Sequence, residues 1–319
     1  MVSIPIIDIA GLRGGEPGEV AAVAQKIGDA CRGVGFFYVT GHGLPPQLIT
    51  ATERASKAFF ASPDGLKSAV LMSAATGNRG YVPMRGEALD PGKPADLKEA
   101  FNIGLDLSPD DPEIIAGARF RAVNLWPDVP AFRATALRYF NAAWALGKRL
   151  HVAFASDLGL APDFFEDKLD RPLATLRLLH YPPAPRLREA GQLGAGEHTD
   201  YGCVTLLLTD DAGGLEVRTR DGDWIKAPYV PGAFVCNIGD CLMRWTNDVY
   251  VSTPHRVVNP AGRERFSIAF FLDPNPEAMV ACLPTCTDAA RPAKYPPIRG
   301  DDFLMSRLNP TYAKSGLVR

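Results

Sequence analysis

The sequence lacks any apolar run approaching the roughly 18 residues that cross a bilayer. No membrane-spanning helix is therefore expected in its 319 residues. The opening stretch Met1–Asp8 lacks the basic and long apolar regions of a secretory leader. No charge of one sign dominates: 34 Lys and Arg against 36 Asp and Glu leave a net charge of −2. Nothing in that balance points to nucleic acid or an anionic membrane as a partner. Cysteine is scarce and scattered, at Cys31, Cys203, Cys236, Cys241, Cys282 and Cys286. Such usage suits a reducing cytoplasm rather than a disulfide framework. Cys282 and Cys286 alone do not make a zinc site. Internal repeats and low-complexity segments are absent.

What is present is ordinary globular material: 46% hydrophobic and 22% charged residues, enough for a sizeable core. The spacing of Val20, Val23, Ala24, Ile27 and Ala30 predicts a helix over Pro17–Arg32, ended by Gly33 and Gly35. Ile4–Ile9 and Phe36–Val39 read as short strands. A second helix is expected over Pro45–Ala61, opening on a proline whose missing N–H costs little there. Four glycines and three prolines between Ser73 and Pro94 predict an irregular loop. Leu97–Gly104 then reads as a strand. Asp128–Leu158 carries the longest helical signal, with Pro130 in its first turn. After about residue 172 the texture changes to short apolar runs: Leu176–Leu179, Val204–Leu208, Leu215–Val217, Ala233–Ile238, Val249–Val258 and Phe266–Leu272. Turn residues separate them, including Asp210–Gly214 and Asn259–Gly262, and strands spaced this way argue for a sandwich or barrel. Arg299–Tyr312 reads as a closing helix. The expected division is a mixed, largely helical unit over 1–171 with short strands, then a β-rich unit over 172–319 with a C-terminal helix.

The chain has five histidines: His42, His151, His180, His198 and His255. His42 sits between two glycines in a turn and reads as structural; His151 reads as packed within the long helix. His198 and Asp200 stand two apart, a spacing that puts both side chains on one face of an extended segment. His255, also in a strand of the β-rich half, best completes the set. Two imidazoles and one carboxylate form the facial triad that holds non-heme Fe(II) and leaves open coordination positions. The same donors can hold zinc with a water, but a zinc hydrolase wants a nearby general base. The obvious one, Glu197, points to the opposite strand face from His198.

Arg265 and Ser267 follow His255 at close range. A guanidinium fork matches a carboxylate bidentately, and the hydroxyl adds a donor. If Val251–Val258 and Arg265–Leu272 pair as a hairpin turning at Ala261, His255 faces Ser267 and Val257 faces Arg265. Opposed Cβ atoms would then lie roughly 5 Å apart, so metal and anion sites would adjoin. A one-residue slip would turn Arg265 and Ser267 away.

Several motifs together carry a resemblance: Ile4–Asp8, Gly35–Val39, Gly41–Gly43, Asn124–Pro127 with Phe132 and Arg133, and Leu179–Pro182. To these add His198–Asp200, Gly213–Leu215, Asn237–Asp240, Trp245–Asn247 and Pro254–Val257. Over nearly its whole length the chain resembles the isopenicillin N synthase-like branch of the Fe(II)/2-oxoglutarate-dependent oxygenases. The resemblance implies an α+β fold with a mainly β core, a distorted double-stranded β-helix (jelly roll) flanked by helices. It implies His198, Asp200 and His255 as iron ligands, and Arg265, Ser267 and Tyr181 as the holders of 2-oxoglutarate. Leu179 stands where relatives frequently carry Asn, with Arg177 as the candidate replacement. Phe270 matches a position on the substrate side of the iron. The implied reaction uses O₂ and 2-oxoglutarate to hydroxylate, or desaturate, a small molecule, releasing succinate and CO₂.

Two other readings stand beside this one. An oxidase on the same scaffold would need no 2-oxoglutarate, and an inactive jelly roll would only bind a small molecule. Arg79, Tyr81, Arg85 and Arg177 are the candidates for contact with an anionic or polar substrate. The loops set that choice.

Overall fold

Period-two alternation gives strands such as Phe36–Thr40 and Arg265–Leu272 one face for each of two cores. The computed structural model describes residues 3–90, 92–184, 189, 191–259 and 261–312, with side chains for all of these except 74 and 309–312. Its strands are β1 (Ile6–Asp8), β2 (Phe36–Thr40), β3 (Gly80–Val82), β4 (Glu99–Gly104), β5 (Thr175–Tyr181), β6 (Ala195–His198) and β7 (Val204–Thr209). They continue as β8 (Leu215–Arg218), β9 (Trp224–Lys226), β10 (Phe234–Ile238), β11 (His255–Val257), β12 (Arg265–Leu272), β13 (Met279–Val280) and β14 (Ile298–Arg299). The α-helices are α1 (Pro17–Arg32), α2 (Pro46–Phe60), α3 (Asp64–Ser68), α4 (Pro112–Ile115), α5 (Phe132–Asp157), α6 (Asp240–Trp245) and α7 (Gly300–Tyr312).

An eight-stranded sheet runs β1-β2-β10-β7-β12-β5-β4-β3, and a four-stranded sheet runs β6-β11-β8-β9. The first takes strands from both sides of residue 172. Alternate residues of its strands pack in two directions. Val39, Phe101, Leu176, Leu206, Phe270 and others join α1, α2 and α5 in the larger apolar core. Phe36, Ala100, Leu179, Val235 and Ala269 meet Leu215, Val217 and Val257 of the smaller sheet in a second core. The result is the expected jelly roll with helices against its outer face. Most predicted elements fall within a few residues of their expected ends. No described helix is long and apolar enough to cross a membrane.

Four expectations need correction. Residues 73–94 are not wholly irregular: a 3-10 turn at Ala74–Thr76 and β3 interrupt the loop, while Pro91 lies outside the described residues. Pro130 lies before α5, which starts at Phe132 after Ala131 takes a left-handed conformation. The strand expected over Val249–Val258 is only three residues long. Most importantly, β11 and β12 are not a hairpin. His255 pairs with His198 of β6 and Val217 of β8, whereas β12 pairs with β5 and β7. The link between them changes sheets. Buried Asn259 pins it, donating to the carbonyls of Leu97 (3.2 Å) and Pro182 (2.9 Å), and Pro260 of that link lies outside the described residues.

Helix α1 docks on α5 through a polar lock. The Asp157 carboxylate accepts from Arg32 (3.1 and 2.6 Å) and from the Tyr250 hydroxyl (2.6 Å). Gly28 of α1 leaves space for it: a Cβ there would sit 2.0–2.3 Å from the carboxylate atoms. Gly28→Ala gains about 1 kcal/mol of helix propensity but displaces charge-assisted bonds worth about 1.5–3 kcal/mol each. Net destabilisation is the expected result, read as a lower denaturant midpoint with unchanged slope.

Candidate functional site

His198 ends β6 and His255 begins β11, and the pairing of these two residues across the small sheet brings their rings together. The ring centroids are 4.3 Å apart. Asp200 follows β6 by two residues and turns back toward both: its Oδ1 lies 3.8 Å from His198 Nε2 and 3.6 Å from His255 Nε2. The three candidate ligand atoms all lie within 4.8 Å of one another. Among the described residues this is the only such group of His, Cys, Asp and Glu.

Each member is held so that one atom stays available. His198 Nδ1 meets the Gly196 carbonyl at 2.7 Å, and His255 Nδ1 meets that of Thr253 at 3.1 Å. Those bonds place a proton on each Nδ1 and leave Nε2 lone pairs facing Asp200, the outer support a metal-bound imidazole uses. Asp200 Oδ2 accepts from Thr205 Oγ1 (2.5 Å) and Asn237 Nδ2 (2.7 Å), leaving Oδ1 for a cation. Burial, then the neighbouring His255, pushes His198 down to about 3, so its imidazole is neutral. Burial alone would raise Asp200; His255, His198 and the two hydrogen bonds outweigh it and hold the carboxyl below its usual range.

Beside the triad lies an anion cradle. Arg265 is 1% exposed. Its Nε donates to the Gly213 carbonyl (2.9 Å), its Nη1 to Ser267 Oγ (3.1 Å), and its guanidinium carbon lies 4.7 Å from the Tyr181 ring centre. Its Nη2 is buried without a partner. A desolvated guanidinium N–H costs free energy unless an acceptor arrives. A carboxylate is the acceptor that fits this fork.

Triad, Arg265, Ser267, Tyr181 and Arg177 line one cavity between the sheets. The sequence assigned the remaining candidates differently. Arg79 is buried away from it, donating to the carbonyls of Gly77 (2.8 Å) and Phe120 (3.2 Å). Tyr81 donates to Glu99 Oε2 (2.5 Å) and packs in the larger, helix-facing core. Arg85 is exposed, at φ +62°. Phe270 faces α5, edge-on to Phe140 at 5.1 Å, because its parity is opposite to Arg265 and Ser267. Ala269, Phe271 and Asp273 line the cavity instead. Val204 and Leu206 join the helix-facing core, whereas Val257 lines the cavity. His42 and His151 are structural, bonded to the carbonyls of Gly232 (3.0 Å) and Gly147 (2.8 Å).

Lys98, Asn102, Thr205 and Asp273 are among the lining residues that went unread in the sequence. Alternation offered a signal for the first two. Lys98, just before β4, and Asn102 within it fall on the same alternation face with Ala100 between them, an arrangement that asks for a polar neighbour. Lys98 Nζ meets Asp96 at 2.5 Å and Glu87 at 3.5 Å. Burial, then the charge of Asp200, pushes the Asp273 carboxyl up to about 7.

Comparison with known proteins agrees with this geometry. Residues 172–274 match the 2OG-Fe(II) oxygenase superfamily, and residues 4–129 match the N-terminal region described as non-haem dioxygenase in morphine synthesis. A 2-oxoglutarate-Fe(II) type oxidoreductase of Emericella nidulans is 38% identical over 317 residues, covering 98% of this chain and 91% of the relative. A homoarginine-6-hydroxylase of Oryza sativa is 36% identical, covering 96% of each chain. The crystal structure of a full-length Neurospora crassa protein in complex with alpha-KG and thymine superposes with a TM-score of 0.85 at 31% identity, covering 96% of each chain.

Proposed function

The chain belongs to the 2-oxoglutarate–Fe(II) oxygenases, and from that premise we propose that His198, Asp200 and His255 hold the iron while Arg265, Ser267 and Tyr181 hold 2-oxoglutarate. The protein is an oxidoreductase acting on a small molecule. Iron and 2-oxoglutarate, when bound, supply the oxidation: one oxygen atom of O₂ goes to succinate as CO₂ leaves, and the other enters the substrate C–H bond. The protein's own part is ligation, orientation and exclusion of water.

The observation that carries the assignment is the convergence of three supported ligand atoms beside an unpartnered, buried Arg265 Nη2. The Gly196 and Thr253 carbonyls accept from the two Nδ1 atoms and orient each Nε2 toward the site, and Thr205 with Asn237 fixes the carboxylate. The Arg265 fork favours a 2-oxoglutarate-dependent enzyme over an oxidase that dispenses with the co-substrate, and the intact triad disfavours an inactive binding module. Six free cysteines fit a reducing compartment, and we place the protein in the cytoplasm.

The test adds Fe(II) anaerobically with and without 2-oxoglutarate, admits O₂, and measures succinate. Succinate that needs both iron and His198 is the expected result. Stoichiometric iron binding without 2-oxoglutarate consumption would instead identify an oxidase. The supporting bonds have their own consequence. Asn237→Leu removes one of two bonds to Asp200 Oδ2. Loss of such an outer partner costs about 10–100-fold in metal affinity, so a weaker iron titration with unchanged 2-oxoglutarate KM at saturating iron is expected.

A further inference from the structure

The cavity continues beyond the iron ligands and the Arg265 cradle, and the charges there are already matched. Among the described residues its cations, apart from the imidazoles, are Lys98, Arg177 and Arg265. Arg265 answers to the co-substrate. Lys98 is buried and paired with Asp96 and Glu87, at 2.5 and 3.5 Å. Arg177 is paired with Glu87 at 2.6 Å, and Glu87 is 4% exposed. The remaining acidic group, Asp273, adds no positive charge in either protonation state. A substrate carboxylate would therefore enter a buried site with no unmatched cation to receive it, which is costly.

A polar group without a partner lies on the same wall. Asn102 is 1% exposed and sits directly across the strand pair from Arg177. Its Nδ2 donates to Asn78 Oδ1 (3.1 Å) and meets Met72 Sδ (3.7 Å), which orients the amide. Its Oδ1 is buried with no partner. A buried amide oxygen asks for an N–H. Arg177, one strand away, offers donors only. Phe271, Leu304 and Leu308 supply apolar wall to the same cavity.

We propose that the primary substrate is an uncharged small molecule with an amide-type edge, an N–H beside a C=O, read by Asn102 Oδ1 and Arg177. The inference rests on the oxygenase reading and deepens it. Of the anionic or polar substrate expected from the sequence it keeps the polar alternative and drops the anionic one, because two of those arginines lie outside the cavity and the third is paired with Glu87. A lactam or imide gives Asn102 Oδ1 the N–H it lacks and turns its C=O toward the Arg177 guanidinium, while its carbon skeleton lies against Phe271 and the two α7 leucines.

The experiment uses the full chain. Formation of the anaerobic Fe(II)·2-oxoglutarate complex is followed by its visible charge-transfer absorbance. O₂ is then admitted with thymine, 2-pyridone or succinimide, and in parallel with benzoate, nicotinate or phenylacetate, and succinate is measured. At least one uncharged compound is expected to raise succinate formation about tenfold over the compound-free rate, the carboxylates not at all. Asn102→Leu is expected to raise KM for that compound at least about tenfold, since the substrate N–H loses its acceptor. Glu87→Gln removes the matching charge, so carboxylates should gain affinity in that variant while the uncharged compound does not; a purely structural Glu87 would give no such gain. Stimulation of the wild type by carboxylates, no stimulation by any lactam or imide, or an unchanged KM in Asn102→Leu would each overturn the proposal. Failure of the oxygenase reading looks different: neither the absorbance nor iron-dependent succinate would appear under any condition.

Discussion

Substituting His255 by alanine is expected to abolish stoichiometric Fe(II) binding and, with it, all iron-dependent succinate formation. The loss should exceed about 100-fold in metal affinity, the upper end of what removing a mere supporting hydrogen bond costs. The reason is geometric. Asp200 Oδ1 lies 3.8 and 3.6 Å from the two Nε2 atoms, and the three atoms mark the corners of one triangle. Removing one imidazole leaves two donors, and a site of two donors cannot fix an octahedral cation on one face. The alternative explanation, a fold defect, has its own signature. His255 also packs edge-on against Phe36 at 5.3 Å, so truncation opens a gap and lowers thermal stability somewhat. His255→Gln fills much of that gap and cannot supply a neutral imidazole nitrogen. Iron binding lost in both variants, with thermal stability recovered in the glutamine variant, assigns the loss to ligation. Full iron occupancy in either variant would remove His255 from the triad.

The triad was legible because it needs little tertiary information. Residues two apart on an extended segment share a face, and few histidines competed for the third place. The pairing that supposedly joined His255 to Arg265 was not legible. Sequence proximity favours a hairpin, but a jelly roll sends consecutive strands to opposite sheets, and Asn259 commits the link to the large sheet's neighbourhood through Leu97 and Pro182. Alternation alone, applied strictly, would have corrected one further assignment. Arg265 and Ser267 on the cavity face imply Ala269, Phe271 and Asp273 there too, and so turn Phe270 to the helices. Arg79 and Tyr81 misled for a different reason. A polar residue in a glycine-rich loop reads as a pocket mouth, but each of these is needed to satisfy buried groups, Arg79 at the Gly77 and Phe120 carbonyls and Tyr81 at Glu99. Which buried polar atoms find partners depends on distances between strands remote in sequence, and that is why alternation could put Lys98 and Asn102 on one face without showing that this face lines the cavity.

Replacing Arg265 by alanine should raise the KM for 2-oxoglutarate by about 100-fold or more while iron binding persists. A bidentate carboxylate contact with a buried guanidinium is charge-assisted on both N–H bonds, and a factor of 100 corresponds to about 2.8 kcal/mol. That is within reach of two such bonds at about 1.5–3 kcal/mol each. Arg265 is held for this task from three sides, by the Gly213 carbonyl, Ser267 Oγ and the Tyr181 ring, with Nη2 left over. Arg265→Lys keeps the charge and loses the fork, so an intermediate KM is expected. A merely structural arginine, tying the Gly213 turn to β12, predicts something else: lower stability in both variants and an unchanged KM. Thermal unfolding separates the two independently of turnover. A ligand at about 100 times its Kd stabilises the native state by about 2.7 kcal/mol, so 2-oxoglutarate with iron should raise the melting temperature of the wild type. In Arg265→Ala that increment should fall to about 0.4 kcal/mol or less while the increment from iron alone remains. An undiminished 2-oxoglutarate shift in the variant would mean that the co-substrate's distal carboxylate is held elsewhere in the cavity, with Lys98 and Arg177 as the groups then to be tested.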